Sequence, residues 1–162
     1  MYRTGILTIS DKASRGLRED LGGPRLRALL GEHGFQVAFT AVVPDEIPEI
    51  VAALVDWIDR QSLDLVLTTG GTGVSPRDVT PEATAQVLEK ELPGMAEALR
   101  AEGLKHTPHA QISRARAGLR GRAIIVNLPG SLKAVEELLP VILPALPHAL
   151  NKLQGDPVDC GR

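Results

Sequence analysis

Apolar positions along this chain fall into short blocks whose spacing switches between that of a strand and that of a helix. Residues 3–10, RTGILTIS, are a brief apolar and β-branched run that ends in polar side chains, as a buried strand does. The polar loop DKASRGLREDLGG follows, and Pro24 opens a helix through Leu26, Leu29 and Leu30 that Gly34 stops. FQVAFTAVV, from Phe35 to Val43, reads as a second strand. Between Asp45 and Gln61, Ile47, Ile50, Leu54, Trp57 and Ile58 recur at steps of three and four, the stripe of an amphipathic helix. LDLVLTTG (63–70) and RAIIVNLPG (122–130) are near-continuous apolar runs cut off by polar and glycine residues, as expected of parallel strands covered on both faces. The last helical stretch, Ser131 to Leu153, carries Pro140, Pro144 and Pro147 and is expected to be kinked or in two pieces.

Strand, helix, strand, helix, strand, loop, helix, strand, helix is the rhythm of an α/β doubly wound sheet. The 162 residues suit one domain, expected over 1–154, with a loose tail at 155–162. Lys and Arg are dispersed, the net charge is −2 and aromatic residues are only 2%, which disfavours nucleic-acid binding. The lone Cys160 excludes a disulfide framework within the chain. No run approaches the roughly 20 apolar residues of a membrane span, and the start is too quickly polar for a secretory leader. A cytoplasmic protein without membrane partners is the expectation.

Ligands of an open parallel sheet bind beyond the carboxyl ends of its strands. Four such loops occur here, SDKASRG, PDE, TGGTGVSPRD and NLPGS, and polar or glycine residues gather in all of them. Gly70, Gly71 and Gly73 can turn tightly and offer backbone N–H groups to a phosphate. Thr69 and Thr72 add hydroxyls, and Arg77 can neutralise anionic oxygens. The pattern is neither a P-loop nor a dinucleotide fingerprint. Thr80 with Pro81 suits the start of a helix, and Asp45 could likewise be a cap. Asp78 lies outside the helix. If Asp11, Asp45 and Asp78 converge, they form a carboxylate set able to hold Mg²⁺ with substrate phosphates. Asn127 to Ser131 could receive an anion at a helix N-terminus. Ser113, Arg114 and Arg116 read as solvated surface, and His33, His106, His109 and His148 show no zinc spacing.

LTISDKASRG, TTGGTGVSPRDVTPEAT, PGMAEALR, SRARAGLRGRAIIVNLPGS and KAVEELLP together resemble the MoaB/Mog family of molybdenum-cofactor biosynthesis proteins, over about residues 4 to 150. The resemblance implies a three-layer α/β domain, with a mostly parallel sheet and helices on both faces, that binds molybdopterin. Active members transfer AMP from ATP onto the molybdopterin phosphate with Mg²⁺ and release pyrophosphate; they are homo-oligomers, typically trimers and in some cases hexamers. Carried over, Asp45 and Asp78 match catalytic and metal-handling positions. Thr69, Gly70, Gly71, Thr72, Gly73, Arg77, Ser113, Arg114, Asn127, Pro129, Gly130 and Ser131 match substrate-contacting loops, and Ser10 and Asp11 the first-strand loop. Leu132 stands where the family commonly has proline, while Lys133 is retained. Two other readings remain: a pterin-binding carrier without catalysis, and a generic nucleotide-binding α/β module.

Overall fold

The computed structural model describes residues 1–157. Its sheet comprises β1 (Tyr2–Ile9), β2 (Phe35–Val43), β3 (Leu65–Thr69), β4 (Lys90–Glu91), β5 (Ala117–Arg120) and β6 (Ala123–Leu128), in the spatial order β2-β1-β3-β6-β5-β4. The first four strands of that row run parallel, and β5 pairs antiparallel with both β6 and β4. The helices are α1 (Asp11–Ser14), α2 (Gly22–Glu32), α3 (Ile47–Val55), α4 (Thr80–Val87), α5 (Pro93–His106), α6 (Leu132–Ile142) and α7 (Leu146–Leu153).

Successive strand residues face opposite sides, and both sides are covered. Ile6, Leu65, Leu67, Ile124 and Val126 pack with Leu26, Leu30, Leu99, Leu139 and Leu150 of α2, α5, α6 and α7. Leu7, Val66 and Ile125 pack on the other face with Ile50, Leu54 and Val87 of α3 and α4. This is the three-layer arrangement expected. It explains why the segments of β3 and β6 read as near-continuous apolar runs, since burying each Leu or Ile contributes about 2 kcal/mol.

Several boundaries differ from the sequence expectation. Asp20 accepts the Gly23 N–H at 3.0 Å, so α2 begins at Gly22 and Pro24 lies inside its first turn. The helix expected over 45–61 starts at Ile47 and gives way to a π-helical turn at Asp56–Arg60. β5 and β4 were not anticipated, because RARAGLR is short and charged. Their partners are remote: β5 pairs with β6, and the Arg120 fork grips Asp59 at 3.0 and 2.6 Å. The proline-rich last segment breaks between α6 and α7, as expected. Asp156 still donates its backbone N–H to the Asn151 carbonyl at 3.0 Å, and Cys160 lies outside the described residues. Among the described residues, no helix is long and apolar enough to cross a membrane.

β1 lies between β2 and β3, so the chain winds away from it in both directions. The loops leaving β1 and β3 therefore part, and a crevice opens beyond their carboxyl ends.

Candidate active site

Strand register brings the first two carboxylates together. Ile9 pairs with Val43, and the Ser10 N–H extends the ladder to the Val43 carbonyl at 2.9 Å. Two residues beyond each strand end, the Asp11 N–H donates to Asp45 Oδ2 at 2.8 Å, and the Asp45 N–H donates to Asp11 Oδ1 at 3.1 Å. Asp45 is thus not a helix cap; Glu46 occupies that position before α3 and makes no side-chain cap bond. Asp45 is buried, and burial pushes its carboxyl pKa up, with the charges of Asp11 and Asp78 adding to the push. Asp11 moves the opposite way, because its bond to Arg77 holds it below the usual carboxylate range.

The glycine turn rests against this pair. Gly70 has φ 103°, and a Cβ there would lie 2.2 Å from the Ile9 carbonyl oxygen, so only glycine fits. Gly71 has φ 65°, and a Cβ there would lie 2.3 Å from Thr80 Oγ1 and 2.9 Å from Asp45 Oδ1. Thr80 is not the cap of α4. Its buried hydroxyl donates to the Gly70 carbonyl at 2.8 Å and its N–H to the Gly71 carbonyl at 3.1 Å, while Val79 holds the cap position. Thr80 therefore pins the turn from below. Thr69 Oγ1 donates to the Pro129 carbonyl at 2.8 Å and joins the turn to the loop after β6.

Asp78 is held in a small turn of its own: Oδ2 accepts the Ser75 N–H at 2.8 Å, and the Asp78 N–H donates to the Ser75 carbonyl at 2.9 Å. Asp45, Asp78, Ser10, Gly70, Gly71 and Gly130 line one hollow of about 650 Å³. A second, of about 240 Å³, begins at the next residues, Thr72 and Gly73, and includes Ser113 and Pro129. Ser131 lines both, with its Oγ accepting the Ala134 N–H at 3.1 Å to cap α6. Ser10 likewise caps α1 through Ala13 N–H at 3.2 Å.

Not every anticipated residue faces a hollow. Arg77 is committed to carboxylates, with two bonds to Asp11 at 2.9 and 3.0 Å and one to Glu46 at 2.7 Å. Asn127 is fully buried: its Nδ2 donates to Thr68 and Thr84 hydroxyls at 3.0 and 2.9 Å, and its Oδ1 accepts the Arg116 N–H at 3.1 Å. Those bonds occupy the groups a substrate would have used. Arg114 and Arg116 are not simply solvated surface. Arg116 pairs with Glu91, and Arg114 donates to the Gly73 and Asp78 carbonyls at 2.7 Å each. Asp20 and Arg18 also line the larger hollow, and Thr8 Oγ1 donates to Asp20 at 2.8 Å. An acidic residue three positions before Gly23 was the available signal for Asp20.

Among the described residues, no group of three or more His, Cys, Asp or Glu is arranged to hold a metal. Asp11 does not complete a set with Asp45 and Asp78, because Arg77 takes both of its oxygens. The remaining pair suits an ion that takes a few carboxylates and fills its shell with phosphate oxygens and water.

Residues 5–148 match the family model described as "Probable molybdopterin binding domain". A molybdopterin adenylyltransferase of Helicobacter pylori (strain ATCC 700392 / 26695) is 41% identical over 154 residues, 94% of this chain and 88% of that protein. The Drosophila melanogaster molybdenum cofactor synthesis protein cinnamon is 47% identical over 98% of this chain, which spans 26% of that longer protein. The crystal structure of the molybdopterin biosynthesis enzyme MoaB from Thermus thermophilus superposes with a TM-score of 0.91 at 52% identity, covering 98% of this chain and 100% of that one. Fold, glycine turn and family model agree, and the chain belongs to the MoaB/Mog family of molybdenum-cofactor biosynthesis proteins.

Proposed function

We propose that the protein is a molybdopterin adenylyltransferase that transfers AMP from ATP to molybdopterin, with Mg²⁺ and release of pyrophosphate. One observation carries the reading: the glycine turn contributes to two adjoining hollows, and Asp45 and Asp78 both line the larger. The larger has room for a nucleotide; the smaller, with Thr72, Gly73, Ser113 and Pro129, would take the pterin. In the reaction a phosphate oxygen of molybdopterin bonds to the α-phosphorus of ATP, and the bond from that phosphorus to the bridging oxygen of pyrophosphate breaks.

Several negative charges meet in that step, so orientation and charge neutralisation must supply the catalysis. Asp45 and Asp78 would hold Mg²⁺, whose positive charge offsets that of the phosphates. The donor set fits: Asp45 is a carboxylate whose charge is disfavoured by burial and by its acidic neighbours, and a cation would relieve both. Gly70 spends its N–H on the Leu128 carbonyl at 3.1 Å, so a phosphate in the larger hollow would meet the backbone of the turn at Gly71 rather than at Gly70.

The deciding experiment mixes protein, ATP, Mg²⁺ and molybdopterin and follows pyrophosphate. Asp78→Ala should cut turnover by about 100-fold or more. Its stability cost should be about 1 kcal/mol, because the Ser75 N–H loses its acceptor. Binding of molybdopterin without pyrophosphate from the parental chain would favour the carrier reading, and ATP binding indifferent to pterin the generic module.

A further inference from the structure

We propose that Arg114 is a positioning residue that sets the placement of Asp78, rather than a direct substrate contact. The inference rests on the functional reading above for what Asp78 does, and on geometry alone for how it is held. Residues 74–77, between the glycine turn and Asp78, are all exposed, with Val74 at 63%. No buried side chain anchors that span, so hydrogen bonds must define its shape. Arg114, from the segment before β5, supplies them at both ends. Its Nε donates to the Gly73 carbonyl and its Nη2 to the Asp78 carbonyl, each at 2.7 Å. Its Nη1 pairs with Glu82 in the first turn of α4, and its backbone N–H donates to the Thr72 carbonyl at 2.8 Å. One planar guanidinium thereby sets the distance between the two ends of the loop and ties both to the helix that follows.

Lysine could not reproduce this. An ammonium is a point donor on a flexible stem and cannot span two carbonyls and a carboxylate in one plane. The same bonds commit all three guanidinium nitrogens to protein acceptors, so a substrate phosphate would have to compete with them. Ser113, the preceding residue, lines the smaller hollow. The Arg114 segment therefore joins that wall to the loop that bears Asp78.

The test compares the parental chain with Arg114→Lys and Arg114→Ala. Pyrophosphate release is measured against Mg²⁺ at saturating ATP and against molybdopterin at saturating Mg²⁺. Partners beyond the metal's own ligands change affinity or rate by about 10–100-fold. Arg114→Lys should accordingly lower kcat about 10–100-fold and raise half-saturating Mg²⁺ about tenfold, with KM for molybdopterin within about twofold. Added guanidinium, and not ethylammonium, should partly restore Arg114→Ala. Parental kcat and Mg²⁺ dependence in Arg114→Lys would overturn the proposal, and so would a raised KM for molybdopterin with an unmoved Mg²⁺ curve. If the parental chain released no pyrophosphate, the functional reading would fall. The tether would still be read by amide hydrogen exchange at residues 73–78, about tenfold faster in Arg114→Lys if it holds and unchanged if it does not.

Discussion

Asp11 and Asp45 hold each other by the backbone: each carboxylate accepts the other's N–H, at 2.8 and 3.1 Å, across the ends of two neighbouring parallel strands. The exchange ties the loops after β1 and β2 together and holds Asp45 against Gly71 of the glycine turn. It also separates the two acids in character. Asp11 is neutralised by Arg77, whereas at Asp45 burial outweighs the favourable Asp11 N–H and the more distant Arg77 charge, and its charged form stays disfavoured.

Asp45→Asn isolates that charge, since the amide oxygen can still accept the Asp11 N–H. Because burial and its neighbours raise the Asp45 pKa above 3.8, the charged form opposes folding, and the stability tied to this group is lost as pH rises through its folded value. The variant should therefore be as stable as the parent or more stable at pH 7 by urea denaturation, with the gap closing as pH falls towards 3.8. Turnover should drop by about 100-fold or more. A less stable variant at pH 7 would contradict this account.

Asp11 gives the opposite pH dependence. Its pKa is lowered, chiefly by the bond from Arg77, so its contribution is present above 3.8 and lost as pH falls through its lower folded value. In Arg77→Ala, a carbon NMR titration of the Asp11 carboxyl should move back towards 3.8, and the loss of stability below that pH should be shallower, because the folded and unfolded values then lie closer together.

Gly70→Ala tests the turn itself. Its Cβ would lie 2.2 Å from a backbone oxygen of β1, and its φ of 103° is one that alanine rarely adopts. Neither strain can be relieved by a side-chain rotation. A loss of about 3 kcal/mol or more is expected in chemical denaturation, or no folded protein at all.

Asn127→Ala separates support from binding. It leaves two buried threonine hydroxyls and the Arg116 N–H without their present partner. The expected cost is about 3 kcal/mol in thermal or urea unfolding. Unchanged stability with a raised KM for molybdopterin would instead mark Asn127 as a substrate contact.

Much of this was legible beforehand because burial on both sheet faces writes itself into composition. β3 and β6 open on apolar residues without alternation, and the glycines follow β3 because the turn passes against the Ile9 carbonyl. β4 and β5 were hidden because their pairing partners and ion pairs lie far away in sequence. The sequence places Asp78 only outside the helix, since its turn with Ser75 is made by a backbone N–H that residue type does not reveal.

Residue types alone determined an α/β sheet, polar loops at its carboxyl edge and a carboxylate-and-glycine chemistry suited to phosphate. Only the tertiary structure decided which of those polar groups are free. Strand order places Arg77 on Asp11, Asn127 among threonines and Arg114 beneath the Asp78 loop, whereas Asp45 and Asp78 are left facing a hollow. A side chain's identity limits the bonds it can make, but the partners that take them are set by which strand ends the fold puts side by side.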